Sequence, residues 1–226
     1  MKLGLFISGT DTHIGKTVVS SLITSALKTH GMPCGYFKPV QSGTDFDTHT
    51  VKTLANLKLE EVRAPLYSFP EAIAPSEAAQ LNKIEIQTSF IKEVWRSFSE
   101  RHWIVEGAGG LLSPLSPQAT NRDLITTLGL PMLLVTSSRL GTINHTLLTL
   151  EAAQSKSIPI KGLVIVGDEN PKLENSLRQF TEVPILVRIP ELPSLNAETV
   201  QTEGARLFSK SMLGNLFPAL PGGLDD

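Results

Sequence analysis

Nine residues, Gly9-Thr10-Asp11-Thr12-His13-Ile14-Gly15-Lys16-Thr17, lie between an apolar run, Leu3-Gly4-Leu5-Phe6-Ile7, and a stretch from Val18 to Leu27 whose apolar positions recur at helical spacing. The run reads as a buried strand. A glycine-bearing turn from strand to helix, closing on Gly-Lys-Thr, requires a sheet whose strand end presents the turn. It also aims backbone N–H groups, the positive end of a helix and a lysine at an anion, as nucleotide phosphates require, and the Thr17 hydroxyl suits Mg2+. Four residues usually separate the first glycine from Gly-Lys-Thr. Here Gly9 stands one position early, and Thr10 occupies the place expected of glycine.

Further strand-like runs follow at residues 34–38, 103–105, 131–136, 161–166 and 184–187, after the first at 3–8. Between them the periodicity predicts helices near 16–30, 47–57, 86–100, 121–128, 142–156, 171–180 and 195–210. Pro131-Met132-Leu133-Leu134-Val135 and Leu163-Val164-Ile165-Val166 are apolar throughout rather than alternating, as strands covered on both faces are. The expected fold is therefore α/β, a doubly wound, mostly parallel sheet flanked by helices, in one domain over residues 1–216. Residues 58–80, with Pro65, Pro70 and Pro75, read as irregular: a surface excursion is the plainer reading, a substrate-side loop the alternative. Residues 217–226 read as a disordered tail.

A net charge of -2 and no Lys/Arg run with interleaved aromatics argue against a nucleic-acid partner. Cys34 is the only cysteine, which excludes an intrachain disulfide and a thiolate zinc cluster. No apolar run approaches the roughly 20 residues of a membrane span, and the short apolar N-terminus is committed to the phosphate turn, so a cytoplasmic protein is expected.

In open α/β sheets ligands bind at the carboxyl ends of the strands, and the residues there carry chemistry. After the second strand comes Lys38-Pro39-Val40-Gln41-Ser42-Gly43. Lys38 is either a plain strand-end lysine or, beside the phosphate turn, a second cation aimed at transferring phosphoryl oxygens. Asp45 and Asp47 follow; Asp47 opens a helix, as a cap or as a carboxylate for Mg2+, and is the preferred candidate of the two. The third strand closes on Glu106-Gly107-Ala108-Gly109-Gly110. Glutamate is rarely buried unpaired, so Glu106 reads as a metal carboxylate, and the glycines allow close backbone approach or form a turn. Gly141, Thr142, Ile143 and Asn144 open a helix, as an anion-binding terminus or an ordinary cap. His13 reads as a loop residue lending its N–H, and the five histidines show no metal-ligand spacing.

Together, Gly-Thr-Asp-Thr-x-x-Gly-Lys-Thr, Lys-Pro-Val-x-Ser-Gly, Val-Glu-Gly-Ala-Gly-Gly and Gly-x-x-Asn-His, in this order, resemble dethiobiotin synthetase, from residue 3 to about residue 192. The early glycine is normal in that family. The resemblance implies an ATP- and Mg2+-dependent ring closure: 7,8-diaminopelargonic acid takes up CO2 as a carbamate, the γ-phosphate activates it, and the second amine closes a cyclic urea. It further implies that Lys16 and Lys38 neutralise phosphate and carbamate oxygens, and that Thr17, Asp47 and Glu106 hold Mg2+. His13, Ile14, Gly15, Lys16, Thr17 and Val18 would wrap the phosphates, Gly107, Ala108 and Gly109 would bind the nucleotide, and Gly109 would also lie against the reacting groups. Thr12 and Ser42 would touch the diamine or its carbamate, while Gly141 to Asn144 would receive its distant carboxylate from a neighbouring subunit, which implies a homodimer.

Two departures stand out. Position 13, commonly glutamate, is His13. Val166-Gly167 stands where an Asn-containing pair usually reads adenine, so base recognition is expected to be relaxed or to come from backbone groups of Pro190, Glu191 and Leu192. The rivals fit less well. A corrinoid-pathway amide synthetase usually adds a glutamine-hydrolysing domain. A partitioning-type nucleotide switch would be expected to carry a lysine near the start of the loop, where Thr10 and Asp11 stand.

Overall fold

The computed structural model describes residues 3–44 and 46–217. The strands are β1 (Gly4–Gly9), β2 (Cys34–Phe37), β3 (Val40–Ser42), β4 (Val62–Arg63), β5 (Tyr67–Phe69), β6 (His102–Gly110), β7 (Pro114–Ser116), β8 (Ala119–Thr120), β9 (Met132–Ser137), β10 (Ile160–Val166) and β11 (Ile185–Ile189). The helices are α1 (Lys16–Thr29), α2 (Asp47–Leu54), α3 (Pro75–Leu81), α4 (Thr88–Arg96), α5 (Asn121–Leu128), α6 (Thr142–Gln154), α7 (Pro171–Phe180), α8 (Ala197–Leu207) and α9 (Lys210–Leu216). Seven strands form one sheet in the order β11-β10-β9-β1-β6-β2-β4, every neighbouring pair parallel.

Alternation along the strands builds two cores. Leu5, Ile7, Ile104, Leu133 and Val135 face one way and meet apolar residues of α1, α2, α8 and α9. Phe6, Trp103, Val105, Met132 and Leu134 face the other way and meet α3, α4, α5 and α6. Around these positions the central strands β1, β6 and β9 are thus apolar on both faces, which is why those runs do not alternate with polar residues. Fully burying one such side chain contributes about 1.5–3 kcal/mol. Helix α8 comes close enough to α1 that a methyl group on Gly204 would lie 2.7 Å from the Leu22 carbonyl oxygen, so only glycine fits there.

Four expectations need correction. Residues 58–80 are not irregular: they contain β4, β5 and the start of α3, and β5 pairs with β3 in a small parallel sheet. Strand β6 does not end at Glu106 but runs on to Gly110, where it pairs with Gly9, so the glycines are strand rather than turn. The helix expected over 195–210 stops at Leu207. A new one, α9, starts behind Ser209, whose hydroxyl accepts from the Met212 N–H. Of the expected tail, Phe217 is buried against the core, and 218–226 fall outside the described residues, as does Asp45. No helix among the described residues is long and apolar enough to cross a membrane.

Candidate active site

Strand β1 delivers the chain to the sheet's carboxyl edge and the phosphate turn folds back over it. A methyl on Gly9 would lie 2.7 Å from Ile14 Cγ2 and 2.9 Å from the Asp11 carbonyl oxygen, so the early glycine is what lets the loop fold over the strand end. His13 (φ 54°) and Gly15 (φ 100°) are both left-handed; the first costs a non-glycine residue on the order of 1 kcal/mol, the second requires glycine. Helix α1 begins at Lys16, and its first N–H groups have no acceptor inside the helix.

Lys16 is buried and donates from Nζ to the Asp11 carbonyl oxygen at 2.8 Å. Burial, aided by the nearby Lys38 charge and opposed by Glu106 and Asp47, lowers its pKa from 10.5 to about 8. A polyphosphate favours the charged ammonium and raises that value in the complex. ADP affinity should therefore be flat below about pH 8 and weaken up to about tenfold per pH unit above it. Titrating ADP from about pH 7 to about pH 9.5 reads this; constant affinity throughout would remove Lys16 from phosphate binding.

Beyond Lys16 three acidic and hydroxyl side chains converge. Thr17 Oγ1 lies 2.8 Å from Asp47 Oδ1 and 3.0 Å from Glu106 Oε1. Lys38 Nζ donates to Asp47 Oδ2 and, at 3.2 Å, to Glu106 Oε1. Buried between two carboxylates, Lys38 pays a desolvation cost that their charges outweigh, and its pKa rises above the usual lysine value. Asp47 heads α2 without capping it: no side chain caps that helix, and the carboxylate turns to Thr17 and Lys38 instead. Glu106 is not unpaired. Its second oxygen accepts from Ser20 Oγ at 2.6 Å and Tyr36 OH at 3.0 Å. The Tyr36 phenol is held well above its usual pKa, first by burial and then by Glu106, and stays a neutral donor.

These groups open onto a cleft of about 570 Å3 lined by Thr12, His13, Gly15 to Val18, Lys38, Gln41 to Thr44, Asp47, Glu106, Ala108, Gly109 and Ser113. Ala72 to Pro75, from the segment over 58–80, also line it. Gly109 is left-handed (φ 74°), and a methyl there would lie 2.3 Å from Ser113 Oγ. Buried Asn121 donates to the Ala108 and Gly110 carbonyl oxygens at 2.6 and 2.8 Å, holding this glycine strand in place. Ser20, Tyr36, Gln41 and Asn121 are the residues sequence reasoning missed. Tyr36 stands two positions before Lys38 on the same strand face, and Ser20 one helical turn past Thr17; that spacing was the available signal.

Other expected residues lie elsewhere. Ile14 packs beside the core and Gly107 is buried behind the cleft against Phe6. Gly141 to Asn144 do not line this cleft; they open α6 behind β9, with Ser137 Oγ and Thr142 Oγ1 hydrogen-bonded at 2.9 Å. Pro190, Glu191 and Leu192 follow β11, three strands from β1. Val166 reaches the phosphate turn: a methyl on Gly15 would lie 3.1 Å from its Cγ2.

The model of the family described as AAA domain matches residues 3–199. The ATP-dependent dethiobiotin synthetase of Agrobacterium fabrum is 36% identical over 92% of this chain and 96% of its own length. The chain belongs to the dethiobiotin synthetase family. The biotin biosynthesis bifunctional protein BioCD of Bordetella avium is 38% identical over 92% of this chain, which spans 43% of that longer protein. At the level of fold alone, the septum site-determining protein MinD of Pyrococcus horikoshii, solved with Mg-ADP, superposes with a TM-score of 0.56 at 17% identity, over 96% of this chain and 93% of that one.

Proposed function

We propose that this chain is an ATP-dependent dethiobiotin synthetase that carboxylates one amine of 7,8-diaminopelargonic acid and closes it to a cyclic urea. The observation that carries the reading is the convergence of Lys16, Lys38, Thr17, Asp47 and Glu106 on one cleft. A triphosphate and a carbamate are both anions, and bringing them together requires two cations on fixed supports.

The donor set suits Mg2+: two carboxylates and a hydroxyl are hard oxygen ligands. Mg2+ keeps several waters and needs only one or two carboxylates beside phosphate. Thr17, Asp47 and Glu106 would hold it on the nucleotide, where it would neutralise charge on the β- and γ-phosphates. The chain's own residues do the rest. The turn from His13 to Val18 wraps the phosphates through N–H groups, with Lys16 over them. Thr12 and Ser42 hold the diamine, and one amine attacks CO2, losing a proton to give the carbamate. Lys38 offsets charge on the carbamate and γ-phosphoryl oxygens as a carbamate oxygen attacks phosphorus and ADP leaves. The second amine then attacks the activated carbon and gives up a proton to solvent as the C–O bond breaks and phosphate leaves; Gly109 lets the backbone lie against these atoms.

We further infer a homodimer in the cytoplasm. Thr10, Asp11, Gly110 to Ser113, His145, Leu148 and Thr149 line a second cleft of about 370 Å3, and exposed Leu112 and Leu148 border it. That apolar rim supports a subunit contact through which Gly141 to Asn144 receive the substrate carboxylate.

Adenine recognition is weak in this reading. Val166 offers no polar side-chain atom, its carbonyl accepts from Ser138 N–H at 3.1 Å, and the Gly167 N–H donates to Ile189 at 2.9 Å, leaving Pro190 to Leu192 backbone groups for the base. Initial rates with ATP, GTP and CTP should agree within about tenfold, the worth of one hydrogen bond. A preference for ATP above about a hundredfold would contradict it. The function itself is tested by omission. ADP release should require the diamine and bicarbonate together; release that ignores either one defeats the proposal.

A further inference from the structure

Glu106 lies in the middle of β6, where β1 and β2 flank it and α1 covers it. A carboxylate has two oxygens with two lone pairs each, and here the two oxygens face different partners. Oε1 accepts from Lys38 at 3.2 Å and lies 3.0 Å from the Thr17 hydroxyl, whose one hydrogen it shares with Asp47; both groups line the cleft. Oε2 receives Ser20 at 2.6 Å and Tyr36 at 3.0 Å, both fully buried and neither lining the cleft. Ser20 is itself fixed in α1, where its carbonyl accepts from Thr24 Oγ1 at 2.6 Å. The plane of the carboxylate is thus set from behind by two neutral hydroxyls that no charge on the substrate requires.

We propose that Ser20 and Tyr36 are positioning residues that restrict Glu106 to one-oxygen ligation and so select a small divalent cation over a large one. The inference rests on reading Glu106 as a metal carboxylate. Turning Glu106 to offer both oxygens breaks both hydroxyl bonds inside a dry core, where an unpaired polar group is costly. Mg2+ demands a compact octahedral shell and takes carboxylates through one oxygen, whereas Ca2+ is larger and readily takes them through two. Holding Oε2 out of reach therefore favours Mg2+. Groups behind a ligand tune affinity by roughly 10–100-fold when removed.

The test measures ADP affinity of the full chain with Mg2+ alone or Ca2+ alone, in the parent and in Tyr36→Phe and Ser20→Ala, each beside its thermal midpoint. The parent should bind ADP more tightly with Mg2+. In both variants the Mg2+-to-Ca2+ affinity ratio should fall by roughly tenfold, through weaker Mg2+ support with Ca2+ support kept or improved. If the variants melt earlier but keep the parent's ratio, the two hydroxyls are only structural and the proposal fails. If ADP affinity in the parent ignores both metals, the reading of Glu106 as a metal ligand fails instead. Ser20→Ala keeps the test open should loss of the phenol disturb folding.

Discussion

Replacing Lys38 by Ala should lower diamine- and bicarbonate-dependent ADP release by about 10²–10³-fold, the scale seen when a fixed donor to developing charge is lost. ADP binding should change only a few-fold. Both parts follow from what Lys38 touches: its ammonium meets Asp47 and Glu106 at the cleft face, not the phosphate turn. The site does not collapse without it, because Glu106 keeps Ser20 and Tyr36, and the Thr17 hydroxyl stays within hydrogen-bond reach of both carboxylates. Removing the charge also leaves two carboxylates free to draw a divalent cation more strongly, so the metal dependence of ADP binding should steepen as turnover falls. Full activity in the variant would take Lys38 out of the mechanism.

Replacing Glu106 by Gln should be harsher, because it fails on two counts. A glutamine offers one acceptor oxygen and one NH2 donor. If the oxygen faces Ser20 and Tyr36, the NH2 confronts Thr17 and the Lys38 ammonium; if it is turned, the NH2 confronts two hydroxyls. Some of those hydroxyls can rotate, but the ammonium has no acceptor role to offer, and Lys38 keeps only Asp47 as a charged partner. The expected cost is about 1–3 kcal/mol of stability, from buried donors left without acceptors. Metal-supported turnover should fall by at least about 10²-fold. Thermal unfolding and initial rates at saturating Mg-ATP measure the two effects. An unchanged midpoint with unchanged rate would mean that Glu106 carries neither charge balance nor metal.

Much of the site was legible because its parts are local. Gly-Lys-Thr between a strand and a helix, Lys38 after an apolar strand and Asp47 at a helix start each announce themselves within ten residues, and the sheet topology brings them to one cleft. What was lost is what depends on distant partners. Gly107 to Gly110 read as a possible turn because glycine disfavours strands, yet Gly110 pairs with Gly9 across the sheet and Asn121 holds the carbonyls from another element. Ser20 and Tyr36 pass for helix and strand filler; only the fold shows that both hydroxyls end on one carboxylate oxygen. The segment over 58–80 defeats periodicity because its strands are two and three residues long, too short to show a repeat.

In the proposed reaction one cleft joins a nucleotide phosphate to a carbamate and not merely to water. This is tested most directly by supplying 13C-bicarbonate with Mg-ATP and 7,8-diaminopelargonic acid and following the label by NMR. The carbon should appear in a cyclic urea in one-to-one proportion with ADP released, and neither should form when the diamine is left out. ADP accumulating while the label stays in bicarbonate would mean that the cleft hydrolyses nucleotide without closing a ring.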